Sequence, residues 1–411
     1  MPTAMKPTTA QRGGKAPTPA TRPFRVGVQS TDEVDYDDTR ALTTSTQDLP
    51  PLNVPPAGFL QNLYVLFEYT VAGNAVATVA VTEDYPWNLI DTVQFDDVNN
   101  ASIFGPFTGW DAYIANKLGG YTFCDDPRHS PVYRLDTLTG TNATASSTKF
   151  VLRIPVELVQ RDGLGALPNK SGTAMFKVRI RLAASGSVYT TPPTTLGTVR
   201  VRIQQADWWE PDATDLKGRP QAQNPPAVQT TQYWSKVDYT VNAGSVRQKL
   251  DRVGYLIRNL IFVARDSSAT TKRLNGETNF FDPFSLRVEG NTLITRLKLI
   301  WLQEIANWGY LGGSPVGAVT AVPLSVGDNY TGSAAAIATQ SKDNGVYVQP
   351  FCADFTHKPG WETRRGYLAT SAAARVEVQG TLLGGGTSPY TLSVLTNDVS
   401  PVNGDDAAIT V

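Results

Sequence analysis

From Gly58 onward, short β-type runs separated by turn residues dominate the chain. Leu63-Tyr-Val-Leu-Phe-Glu-Tyr-Thr-Val71 is apolar almost throughout, as a buried strand is, and Val76 to Val81 forms a second apolar run. Strict alternation appears at Phe176-Lys-Val-Arg-Ile-Arg-Leu182, where Phe176, Val178, Ile180 and Leu182 share one face. Val199-Arg-Val-Arg-Ile203 repeats the scheme with Arg200 and Arg202 on the other face. Such strands cover a core on one side and meet water on the other. Lys177, Arg179, Arg181, Arg200 and Arg202 have no interleaved aromatics, so they read as a solvated sheet face and not as a nucleic-acid patch.

Helical periodicity is confined to two places. Trp110, Tyr113, Ile114 and Leu118 share a helical face ended by Gly119-Gly120. Leu297, Ile300, Trp301, Ile305 and Trp308 do the same before Gly309. The pattern therefore predicts an all-β protein with one short amphipathic helix in each half.

The two halves echo one another. Gly58-Phe-Leu-Gln-Asn-Leu63 matches Gly254-Tyr-Leu-Ile-Arg-Asn-Leu260 at the head of an apolar run. Trp110-Asp-Ala-Tyr-Ile-Ala-Asn116 matches Trp301-Leu-Gln-Glu-Ile-Ala-Asn307. Phe123-Cys-Asp-Asp-Pro-Arg-His-Ser-Pro131 matches Phe351-Cys-Ala-Asp-Phe-Thr-His-Lys-Pro359. Three echoes in one order imply two copies of one β unit, at 50–225 and 226–411, divided in the Pro-rich stretch Gly218 to Pro226. Aligning them leaves the second copy about 37 residues longer, an expected surface loop over roughly 312–344.

Residues 1–49 read as an arm. Lys6, Arg12, Lys15, Arg22 and Arg25 give it five positive charges and no negative one before Asp32, and prolines at 2, 7, 17, 19 and 23 oppose a helix. Asp32, Glu33, Asp35, Asp37 and Asp38 follow. Such an arm is either a solvated tail or a segment ordered against a neighbour or an anionic surface.

Composition narrows the chemistry. The 411 residues include 34 glycines and 28 prolines, and 36 basic residues balance 37 acidic ones, which excludes a nucleic-acid-coating polycation. No run reaches the roughly 18 apolar residues of a membrane helix, and the start of the chain lacks a secretory signal, so synthesis in a cytoplasm is expected. All cysteine and histidine (Cys124, His129, Cys352, His357) lies in the repeated Phe-Cys element. Duplication explains that match without a shared zinc site, and no disulfide framework exists. Two histidines exclude a histidine-rich cupin metal site, and no nucleophile elbow or phosphate loop is present. No catalytic, cofactor-binding or metal-binding residue is assigned. A β-sandwich glycosidase would draw its two carboxylates from the 37 acids, but duplicated halves would carry two such sites and neither half shows one.

The run from Gly58-Phe-Leu through Thr82-Glu-Asp-Tyr-Pro-Trp-Asn-Leu-Ile90 and Phe95-Asp-Asp to the Trp110 helix resembles double jelly-roll major capsid proteins of tectivirus-type, membrane-containing bacteriophages. The likeness returns at Gly345-Val-Tyr-Val-Gln-Pro-Phe-Cys-Ala-Asp354 and Arg375-Val-Glu-Val-Gln379. That resemblance implies two tandem eight-stranded jelly rolls and a homotrimer serving as a pseudo-hexameric capsomer of an icosahedral shell. It implies neighbouring capsomers, vertex (penton) and minor capsid proteins as partners, and no cofactor, catalysis or specific nucleic-acid binding. The arm would face the internal viral membrane, although its Pro/Thr-rich sequence departs from the helix-like arms of that family. The competing expectation is a two-domain jelly-roll spike or carbohydrate-binding protein.

Overall fold

The computed structural model describes residues 22–23, 30–71, 79–119, 121, 127, 130–135, 146–158, 165–209, 223–224, 231–268, 271–274, 278–307, 345–351, 367–370 and 374–400. The first unit runs β1 (Ser30–Ala41), β2 (Gln47–Asp48), β3 (Leu52–Asn53), β4 (Phe59–Val71), β5 (Ile90–Asp96), β6 (Ser102–Phe107), α1 (Gly109–Leu118), β7 (Ser146–Pro155), β8 (Lys177–Leu182) and β9 (Thr198–Trp208). The second runs β10 (Gln232–Val241), β11 (Gly244–Lys249), β12 (Leu256–Arg265), β13 (Phe281–Val288), β14 (Asn291–Arg296), α2 (Lys298–Asn307), β15 (Val346–Pro350), β16 (Val376–Leu382) and β17 (Tyr390–Val399).

Both units wind identically. One sheet of the first unit has the order β1-β9-β4-β7, and the facing sheet has β6-β5-β8 with β2 and β3 both along β8. The second unit repeats this as β10-β17-β12-β15 and β11-β16-β13-β14. With β2 and β3 counted as one broken strand, each unit places its first, eighth, third and sixth strands in one sheet and the rest in the other. This is the jelly-roll winding. In each unit the helix lies between the fifth and sixth strands.

Alternation in the sequence becomes inside and outside in the fold. Phe176, Val178, Ile180 and Leu182 are buried, while Lys177, Arg179 and Arg181 face outward. Phe67 stacks on Phe150 at 5.2 Å between ring centres, and Trp87 lies 4.3 Å from Tyr113 of α1. In the second unit Trp301 of α2 is enclosed by Phe262, Phe284 and Tyr347 and donates its indole N–H to the Val348 carbonyl (2.9 Å).

The duplication extends to backbone irregularities. Gly58 and Gly254, which head the third strands, both have left-handed φ (67° and 102°), a conformation that glycine adopts without a Cβ clash. Each third strand then bulges against the eighth, at Gln61 and at Arg258. Opposite each bulge stands a buried aspartate, Asp207 in β9 and Asp398 in β17.

Four expectations change. The span 1–49 is not wholly an arm, because residues 30–41 form β1 and pair with β9 along their length. Within the acidic run that suggested a solvated tail, Asp37 instead pairs with Arg200 of β9 at 2.5 Å. The Phe-Cys echo is not a structural equivalence either. Phe123 precedes the sixth strand of its unit, whereas Phe351 follows the sixth strand of the other. The helix-to-strand connections are therefore 119–145 and 308–345, so the second is longer by 11 residues and not by about 37. Lastly, Leu297 and Ile300 do not join Trp301 and Ile305 in the core; both are exposed.

Candidate functional site

Two regions of the surface are set apart by their chemistry: the seam between the units, and the open edges of the first unit's first strand and the second unit's fifth strand. At the seam β6 and β10 run parallel with Phe104 opposite Trp234, which joins two sheets into one of ten strands. The Lys236 ammonium donates to Asp111 Oδ2 (2.9 Å). Asp111 also closes a capping box at the start of α1, where Thr108 Oγ1 accepts from the Asp111 N–H (3.1 Å). Arg265 and Arg273 lie 4.7 and 4.5 Å from the Trp110 ring centre, and both pair with Asp84.

Deeper in the seam, Tyr121 stands between two buried guanidinium groups, Arg153 of the first unit and Arg258 of the second, each 5.5 Å from its ring centre. Arg153 donates to Asn62 Oδ1 and to the Tyr121 carbonyl (2.9 Å each). Arg258 donates to the Gly119 carbonyl at the end of α1 (3.0 Å) and to Asn397 Oδ1 (3.2 Å). The Tyr121 hydroxyl donates to Gln232, whose amide donates in turn to the Val156 and Glu157 carbonyls. One consequence is that every residue of α1 is buried, including Asp111, Asn116 and Lys117. The second unit covers the side of this helix that water would otherwise reach.

A cleft of about 300 Å³ opens along the seam, lined by Asp84, Asp91, Asp111, Asp238, Lys236 and Arg265 among others. Its charges answer one another: Lys236 reaches Asp111, Arg265 reaches Asp84, and the Ser393 hydroxyl donates to Asp238 (2.5 Å). Among the described residues no three His, Cys, Asp or Glu side chains are grouped to hold a metal ion. Two of these pairs, Lys236 with Asp111 and Arg265 with Asp84, run from one unit to the other.

The open edges have the opposite character. β1 pairs only with β9, and β14 only with β13, so each presents one unpaired edge among the described residues. Around β14 and the first turn of α2, Leu293, Leu297, Leu299 and Ile300 are exposed, the densest group of large exposed apolar side chains among the described residues. On β1, Val34 is 66% exposed. Exposed apolar groups gathered at one place mark an interaction surface.

The basic row on the outer faces is occupied by partners. Arg181 pairs with Asp91 (2.5 Å), Arg179 with Asp96 (3.3 Å), and Lys177 donates to Asn100 Oδ1 (3.0 Å). Arg202 and Lys149 share Glu68 at 2.7 Å each. Burial pushes the Glu68 carboxyl up, and those two cations outweigh it and leave its pKa lowered. Asp37 is held low by its hydrogen bond from Arg200. For Asp398 burial prevails over the Arg252 guanidinium that grips it (2.5 and 2.9 Å), and its pKa is raised.

Of the arm residues, Lys6, Arg12, Lys15 and Arg25 lie outside the described residues, and Arg22 is described only in its backbone pairing with Gln223. Cys124, His129, Cys352 and His357 also lie outside them. Sequence reasoning missed Val34, which the acidic run concealed, and the seam residues Tyr121, Arg153 and Arg258. The available signal was the polar content of the Trp110 helix: Asp111, Asn116 and Lys117 on a helix otherwise read as core-facing ask for a second covering surface.

No protein-family model matches the chain, and no curated protein matches it. Solved structures do. The STIV MCP, from Sulfolobus Turreted Icosahedral Virus, superposes with a TM-score of 0.57 at 11% identity, over 92% of this chain and 99% of that one. The PBCV-1 virus capsid gives 0.53 at 11% identity, over 90% and 93%. The Faustovirus major capsid protein gives 0.50 at 10% identity, over 93% and 91%. At such identities the likeness is one of fold, and the fold of this chain is the double jelly roll.

Proposed function

We propose that the chain is a major capsid protein, a structural coat subunit that assembles as a homotrimer into a pseudo-hexameric block of an icosahedral virion shell. The observation that carries the reading is the pairing of two identically wound jelly rolls, edge to edge, with matching edges left open at the two ends of the pair. A head-to-tail contact repeated between copies closes into a ring when its rotation divides the circle, and three copies of a two-unit chain give six units. The superposition of 90–93% of the chain on viral coat proteins supports the same reading. Subunit affinity then comes from apolar edges, with charge pairs fixing register. Neighbouring capsomers and vertex and minor capsid proteins are the further partners. The basic arm formed by Lys6, Arg12, Lys15, Arg22 and Arg25 suits the anionic headgroups of an internal membrane.

The test is the mass of the purified chain by light scattering behind a sizing column. A species near three times 44.5 kDa is expected. A stable monomer overturns the proposal and favours the two-domain spike or carbohydrate-binding reading, which glycan-binding assays then examine.

A further inference from the structure

We infer that strand β1 of one copy docks on the β14–α2 edge of the next, with Val34 seated on Ile300 and its neighbour Leu297. The inference rests on the coat-subunit reading and deepens it by assigning the two surfaces that meet.

The seam within the chain serves as the template. There the first strand of the second unit, β10, lies along the fifth strand of the first unit, β6, and reaches the first turn of α1. The contact at that turn is Lys236 to Asp111. The other first strand and the other fifth strand are β1 and β14, and both have an open edge.

The buried aspartates opposite the bulges bring the two units into register. Lys236 pairs with Leu395, three residues before Asp398; Val34 pairs with Gln204, three residues before Asp207. Val34 and Lys236 therefore hold the same station on their strands. On the receiving side, Lys236 meets Asp111 in the first turn of α1, and the first turn of α2 carries the exposed Leu299 and Ile300. The ion pair inside the chain thus corresponds, between copies, to a pair of apolar side chains. Val34 is 66% exposed and Ile300 54% exposed, as an empty contact requires.

Covering differs in the same way. Every residue of α1 is buried, whereas Leu299 and Ile300 of α2 stand in solvent. α1 is covered by the second unit of its own chain, and α2 has no third unit in its chain to cover it. A second copy supplies one. A twofold contact between identical edges would leave β1 unused, so the template selects a head-to-tail arrangement.

The experiment uses the full chain and three variants: Val34→Lys, Ile300→Asp, and the two together. All three replace exposed side chains, so each is expected to fold, and circular dichroism at matched temperature verifies this. With a wild-type trimer in hand, each single change is expected to weaken association by roughly tenfold or more, since a lone charge enters an apolar contact. The double variant recreates the Lys236–Asp111 pair between copies and is expected to recover the trimer. Trimers unaffected by either single change overturn the inference while leaving the coat reading intact. Loss in both singles without recovery in the double overturns the pairing of these two surfaces. A two-copy species that responds to Ile300→Asp but not to Val34→Lys places a like edge there and also overturns it. A monomeric wild-type chain is a different failure, that of the coat reading itself.

Discussion

Arg258 is 1% exposed, and its guanidinium links the end of α1 in one unit to Asn397 in the other while lying along Tyr121. Replacing it with methionine keeps much of the volume but leaves the Gly119 carbonyl and the Asn397 amide without that donor. Hydrogen bonds from a charged donor contribute about 1.5–3 kcal/mol each, and an acceptor left buried without one costs a similar amount. Arg258→Met is therefore expected to destabilise the chain by roughly 2–4 kcal/mol, read as a lower urea midpoint. Trp301 makes a contrasting case because its role is mainly volume. Trp301→Ala removes the ring packed among Phe262, Phe284 and Tyr347 and is expected to cost about 3–5 kcal/mol. A Trp301→Phe variant restores most of the packing but leaves the Val348 carbonyl without its donor, so its cost falls in between.

β1 shows where element boundaries were hidden in the sequence. Alternation was plain in β8 and β9, where Val and Ile alternate with Arg, and the structure buries one face and exposes the other. β1 carries almost no apolar residues, because it is an edge strand held by backbone pairing and by Asp37 against Arg200. A pattern built on burial cannot detect a strand of that kind. The helices were legible as helices, yet which of their faces would be covered was not, since that depends on a seam formed across more than a hundred residues of chain. A truncation series separates arm from strand. Removing residues 1–29 is expected to leave the fold and its thermal midpoint within a few degrees of the full chain. Removing residues 1–45 deletes β1, bares the β9 edge and the arginines along it, and is expected to give aggregated protein by light scattering.

At the scale of the molecule, the outer sheet faces are laced with carboxylates whose pKa values are lowered in the fold. Arg200 holds Asp37 low, Lys149 and Arg202 outweigh burial at Glu68, and Arg247 with Arg375 clamps Glu377 low. A carboxyl lowered on folding contributes stability that is complete above its unfolded pKa, near 4, and is lost as pH falls through the lower folded value. Asp398 acts in the opposite sense: its raised pKa makes the ionised form less favourable in the fold, so its contribution is present at low pH and lost as pH rises through the folded value. Four lowered carboxylates, Asp266 being the fourth, against one raised predict a net loss of stability on acidification below about pH 4, with little change between pH 6 and 8. The thermal midpoint measured from pH 8 to pH 3 checks this, and a midpoint that holds or rises below pH 4 contradicts it. The Arg247→Gln variant localises the effect. With the first of Glu377's two clamps removed, the carboxyl moves back toward its ordinary value, and the acid decline of the midpoint is expected to become shallower while the midpoint at pH 7 falls.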